Sequence, residues 1–127
     1  MGVLIVDDDN DLRDSLRRAL EGEGYDTVCA ANGREALNLL HAPESRPSLV
    51  LLDIMMPEMN GLDFLDLVER DSDLCAIPVV VMTAHARERR NQAHPSRSSG
   101  RFLRKPVNLD TLLYLVEQYC PRKLQPK

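Results

Sequence analysis

Aspartates in this chain gather where apolar runs stop. Val3-Leu4-Ile5-Val6 ends in Asp7-Asp8-Asp9, Leu49–Leu52 ends in Asp53, and Val79–Met82 ends in Thr83. A fourth short run, Phe102-Leu103, ends at Arg104-Lys105-Pro106. The carboxylates of Asp7, Asp8 and Asp53, the Thr83 hydroxyl and the Lys105 amine together describe a site for a divalent cation and a phosphoryl group. Magnesium takes hard oxygen ligands and needs only one or two carboxylates beside its waters. The amine offsets phosphoryl charge. The spacing predicts that each run is a strand and each polar group sits at its carboxyl end. In a parallel sheet those ends share one edge, where open α/β folds bind ligands.

Each of these residues also has an ordinary explanation. Asp7, Asp8 and Asp9 together could cap the helix that follows, since negative charge is favourable at a helix start; Asp9 reads as a cap only. Asp53 could face solvent at a strand end, Thr83 could be a β-branched strand residue, and Lys105 could be a surface lysine. The weight lies in the conjunction. Each group closes a separate strand of one sheet, and their chemistries are complementary.

Helical spacing surrounds these strands. Leu12, Leu16, Ala19 and Leu20 mark a first helix stopped by Gly22 and Gly24. Tyr25–Ala30 reads as a second strand. Asn32-Gly33 makes a turn, and Ala36, Leu37 and Leu40 mark a second helix. After Asp53, Met55-Met56-Pro57-Glu58-Met59-Asn60-Gly61 forms a loop, and Leu62, Leu65 and Val68 a third helix. Leu109, Leu112, Leu113, Val116 and Tyr119 mark the last helix, with Asn108 as N-cap and Pro121 as terminator. Strand and helix alternate five times, which gives a parallel sheet with helices on both faces and right-handed crossovers. The weak stretch is 84–100. It has almost no apolar face, and Pro95 and the following Ser/Gly residues favour loop. A short or mobile fourth helix is expected there.

The size allows one domain, expected over residues 1–120 of the 127, with a polar tail or linker start at 121–127. A net charge of −4 argues against a general nucleic-acid or anionic-membrane binder. No apolar stretch reaches the roughly 18–20 residues of a membrane span. With no room for a signal peptide before the first strand, a cytoplasmic location is expected. Cys29, Cys75 and Cys120 are scattered, with no CxxC pair, and read as reduced structural thiols.

The four motifs together resemble the receiver domain of response regulators, the family that accepts a phosphoryl group from a histidine kinase. They are Val3–Asp9, Leu51–Gly61, Val81-Met82-Thr83-Ala84 and Phe102-Leu103-Arg104-Lys105-Pro106. The resemblance covers nearly the whole chain. It implies a doubly wound, flavodoxin-like five-stranded sheet in the order 2-1-3-4-5. It implies that Asp53 is the phosphoacceptor, and that Asp7, Asp8, Asp53 and the backbone carbonyl of Met55 hold Mg²⁺, with Mn²⁺ able to substitute. Lys105 would contact the phosphoryl oxygens and Thr83 would bond the attached phosphate. Phe102 occupies the aromatic switch position, though it also reads as a plain core aromatic. Met55 and His85 sit where the rate of phosphate loss is tuned, although a surface histidine is the ordinary reading of His85. The Lys105–Pro106 bond is expected to be cis. The implied partners are a histidine kinase or phosphotransfer protein and an output partner.

The chain departs from the family pattern on its output face. Arg87, Arg89, Arg90, Arg97, Arg101 and Arg104 make that region basic in an acidic chain. These arginines suit an acidic protein partner, against the plainer reading of a solvated segment. Two other functions compete. One is a metal-dependent phosphatase or phosphotransferase working through an aspartyl phosphate; such enzymes usually place a second Asp where this chain has Met55, and a cap domain is missing. The other is an interaction domain that no longer takes phosphate.

Overall fold

The strand β1 (Val3–Val6) is buried at every residue, because it has neighbours at both edges and helices on both faces. A computed structural model describes residues 2–42, 44, 46–53, 61–83, 102–105 and 107–120. Its elements run β1, α1 (Asn10–Gly22), β2 (Thr27–Ala30), α2 (Gly33–His41), β3 (Leu49–Asp53), α3 (Gly61–Arg70), β4 (Val79–Thr83), β5 (Phe102–Arg104) and the last helix, here α4 (Leu109–Tyr119). All strand pairs are parallel. The order is β2-β1-β3-β4-β5, as the family resemblance implied. The expected short or mobile fourth helix, with Arg87, Arg89, Arg90, Arg97 and Arg101, lies outside the described residues, as do Met55, His85, Pro106 and the tail.

Alternation along the strands builds two cores. Leu4, Val6, Val50, Leu52, Val79 and Val81 point to the face covered by α2 and α3, where they meet Ala36, Leu40, Phe64, Leu65 and Val68. Val3, Ile5, Leu49, Leu51, Val80, Met82 and Leu103 point to the other face and meet Leu16 and Leu20 of α1 and Leu112 and Val116 of α4. Full burial of each such side chain contributes roughly 1.5–3 kcal/mol.

The helices start where short polar side chains can satisfy the free amides of a first turn. The Asp9 carboxylate accepts from the amides of Asp11 and Leu12 at 3.0 and 3.1 Å. Asn32 accepts from the Glu35 amide at 2.9 Å, and the Glu35 side chain reaches back to the Ala31 amide at 2.8 Å. Asn108 caps α4 through the Thr111 amide at 3.0 Å. The first helix ends before Gly24, whose φ of 93° is a conformation that glycine adopts without steric cost. The second strand begins at Thr27, two residues later than the sequence reading placed it. Tyr25 instead closes the helix end, its amide donating to the Leu20 carbonyl at 3.0 Å, with its ring buried beside α1.

Candidate functional site

Register places the acidic residues side by side. Val6 of β1 lies opposite Leu52 of β3, so Asp7 and Asp53 are the next step along neighbouring strands. Asp53 lies opposite Met82 of β4, and Thr83 opposite Arg104 of β5. Thr83 and the residue before Lys105 therefore reach the same edge, and Phe102 lies one pair deeper, opposite Val81.

Asp7 and Asp53 are carboxylates inside the protein, 0% and 3% exposed. A buried charge is costly unless it is paired. Lys105, 24% exposed, supplies the pairing: its Nζ donates to Asp7 Oδ2 at 3.0 Å and stands 3.4 Å from Asp53 Oδ1. Burial alone would lower the pKa of this lysine. The hydrogen bond to Asp7 and the charges of Asp7 and Asp53 outweigh it, and the pKa is raised. The second Asp7 oxygen, Oδ1, accepts from the Asp9 amide at 2.9 Å. The Asp7 amide donates to the Ala30 carbonyl at 3.1 Å, tying the strand end to β2.

Asp8 is exposed. One carboxylate oxygen from each of Asp7, Asp8 and Asp53 lies within 4.8 Å of the others. Three carboxylates this close repel one another, so the group favours a cation. A donor set made only of carboxylate oxygens suits Mg²⁺ or Mn²⁺ and not a thiolate- or imidazole-seeking metal. The ammonium already seated between Asp7 and Asp53 is a second sign that the pair takes positive charge.

The reading of Asp7, Asp8 and Asp9 as a joint helix cap divides cleanly. Asp9 alone accepts from the first-turn amides, while Asp7 turns inward to Lys105. The structure brings together Asp7, Asp8, Asp53 and Lys105, and puts the Thr83 backbone at the same edge.

Residues 3–117 match the response regulator receiver domain. The chain belongs to this family. Receiver domains are phosphoacceptor signalling domains that work with histidine kinases or phosphotransfer proteins, and this chain is one of them. It is 36% identical to the polar-differentiation response regulator DivK of Brucella anthropi, over 92% of this chain and 94% of that one. It is 38% identical to the response regulator MprA of Mycolicibacterium vanbaalenii over 87% of this chain, but spans only 46% of MprA. The signal receiver domain of a signal transduction histidine kinase from Syntrophus aciditrophicus superposes with a TM-score of 0.81 at 29% identity, covering 100% of this chain and 98% of that one. Receiver domains thus recur alone and within longer proteins. No helix among the described residues is long and apolar enough to cross a membrane.

One residue of this edge escaped the sequence reading. Arg13, one turn into α1, donates through Nη1 to the Asp7 carbonyl at 2.5 Å and through Nη2 to the Asn10 side chain. The signal was available: a basic residue four positions after a capping aspartate can fold back over the helix start.

Proposed function

We propose that Asp53 of this receiver domain accepts a phosphoryl group from a histidine kinase or phosphotransfer protein, and that the modified domain changes conformation to control an output partner. The observation that supports this reading is the lysine-bridged carboxylate cluster at the carboxyl edge of the sheet, with Lys105 Nζ 3.4 Å from Asp53. Mg²⁺, or Mn²⁺ in its place, would be held by Asp7, Asp8, Asp53 and the Met55 carbonyl, and supplies neutralising charge for the phosphoryl oxygens.

The residues then divide the work. An Asp53 oxygen attacks phosphorus, the P–N bond to the donor histidine breaks, and the imidazole nitrogen keeps the electron pair. The product is an acyl phosphate. Phosphoryl transfer depends on positioning and charge more than on covalent help. Lys105 serves both needs: Asp7 anchors its ammonium beside Asp53, where the incoming oxygens carry charge. The Thr83 hydroxyl bonds the attached phosphate, and Phe102 follows it inward, shifting the population between two conformations. Met55 and His85 set how water reaches the acyl phosphate. The domain spans residues 1–120, acts in the cytoplasm, binds no nucleic acid itself, and catalyses only its own phosphorylation and dephosphorylation.

Incubation with acetyl phosphate and Mg²⁺, followed by intact mass, tests the proposal. One added phosphoryl group that requires Mg²⁺ and is lost in Asp53→Asn is the expected result. A labelled Asp53→Asn protein, or turnover of free phosphomonoesters without labelling, would overturn it.

A further inference from the structure

The Asp8 carboxylate differs from its two companions in how it is held. Asp7 is fixed by Lys105 and the Asp9 amide, and Asp53 is buried beside the same lysine. Among the described residues, no hydrogen bond or ion pair holds the Asp8 side chain. Its direction is therefore set by its backbone, which begins at the Asp7–Asp8 peptide. The oxygen of that peptide is the one that Arg13 Nη1 grips. The arginine is braced in turn: its own amide donates to the Asp9 carbonyl at 3.0 Å, and its Nη2 donates to Asn10.

We infer that Arg13 is a positioning residue of the cation site, which orients Asp8 toward Asp7 and Asp53 by clamping the Asp7–Asp8 peptide to helix α1. The inference rests on the Mg²⁺-dependent reading above and adds a residue to it. A planar guanidinium with fixed donors can hold two oxygens at once, which an ammonium cannot do in the same geometry. Rotation of the clamped peptide would swing Asp8 away from the other two oxygens and open the 4.8 Å cluster.

The guanidinium also brings positive charge, which opposes cation binding. Geometry and charge therefore predict opposite signs when Arg13 is removed. If Arg13 positions Asp8, Arg13→Met weakens Mg²⁺ binding. If it acts only as a charge, the same variant tightens it.

The test is a calorimetric Mg²⁺ titration of the wild-type chain, Arg13→Met, Arg13→Lys, Asp8→Asn and the double variant Arg13→Met/Asp8→Asn, with thermal unfolding in EDTA as the check on folding. Supporting groups behind metal ligands typically change affinity by about 10–100-fold, and the low end, about tenfold, is expected for Arg13→Met. Arg13→Lys, with one donor nitrogen in place of the guanidinium's planar fork and the charge retained, recovers part of the loss. The double variant binds no more weakly than Asp8→Asn alone, because Arg13 acts through Asp8. Equal or tighter binding by Arg13→Met, or full additivity in the double variant, overturns the assignment. Should Arg13→Met fail to fold, Arg13→Lys decides: wild-type affinity without the planar two-nitrogen fork overturns the clamp, and a loss supports it. A wild-type chain that takes neither Mg²⁺ nor a phosphoryl group refutes the underlying reading as well, whereas normal wild-type binding with an unaffected arginine variant removes only Arg13.

Discussion

Replacing Lys105 with methionine keeps most of the side-chain volume and removes the charge that neutralises two buried carboxylates. Its Nζ lies 3.0 Å from Asp7 and 3.4 Å from Asp53. Removing one partner of a fully buried ion pair costs about 3–5 kcal/mol, because the other charge is left behind. Lys105 is 24% exposed, so water enters part of the gap and screens the orphaned carboxylates. A loss of about 2–3 kcal/mol follows, below the fully buried figure. Unfolding entropy near 2.1 cal/mol/K per residue converts that to a fall in Tm of roughly 7–11 °C for a chain of this length. Circular dichroism melts in EDTA measure it. Excess Mg²⁺ should narrow the difference, since the uncompensated carboxylates of the variant bind the cation more tightly than those of the wild type, and a cation that binds only the folded state stabilises more the lower its Kd. Lys105→Met melting at the wild-type temperature in EDTA would refute the reasoning: the ammonium would then not be compensating Asp7 and Asp53.

Two further outcomes follow from single residues. Asp9→Ala removes the cap of α1 and should cost about 1 kcal/mol in a denaturant titration, while phosphorylation by acetyl phosphate stays within twofold of wild type; a lost label would instead put Asp9 in the site. Burial pushes the Cys120 thiol pKa up, and a hydrogen bond with Ser48 pulls only partly against it. A thiol raised above its unfolded value contributes stability that is fully present below the unfolded pKa and is lost as pH rises through the folded one. The stability of wild type relative to Cys120→Ala should therefore fall as pH rises above about 8.5, the ordinary thiol value. A difference that stays flat above that pH would contradict the burial argument.

Much of this molecule is visible in its residue pattern, for reasons that differ by element. Strands β1, β3 and β4 are unbroken apolar runs because both of their faces are covered, and only buried parallel strands need that composition. Their polar end residues had to share one edge, so the meeting of Asp7, Asp8, Asp53 and Lys105 followed from strand direction. The start of β2 was less legible. Tyr25 has the composition of a strand residue, but its amide is used to close α1, and no local pattern distinguishes those two uses. Arg13 was hidden for another reason. A charged residue on an amphipathic helix reads as solvated, and only the three-dimensional turn after Asp9 shows that its head folds back to the Asp7 carbonyl.

The double-sided burial of the central strands also has a consequence for where the sequence can vary. Every residue of β1 and β3 is enclosed, so a substitution there meets packed side chains whichever way it points. Edge positions such as Val28, 43% exposed on β2, and helix residues such as Leu67, Leu109 and Tyr114 face outward instead. Among the described residues, a substitution that leaves the core packed is therefore made at least cost on that outer layer, and the room for such variation lies there.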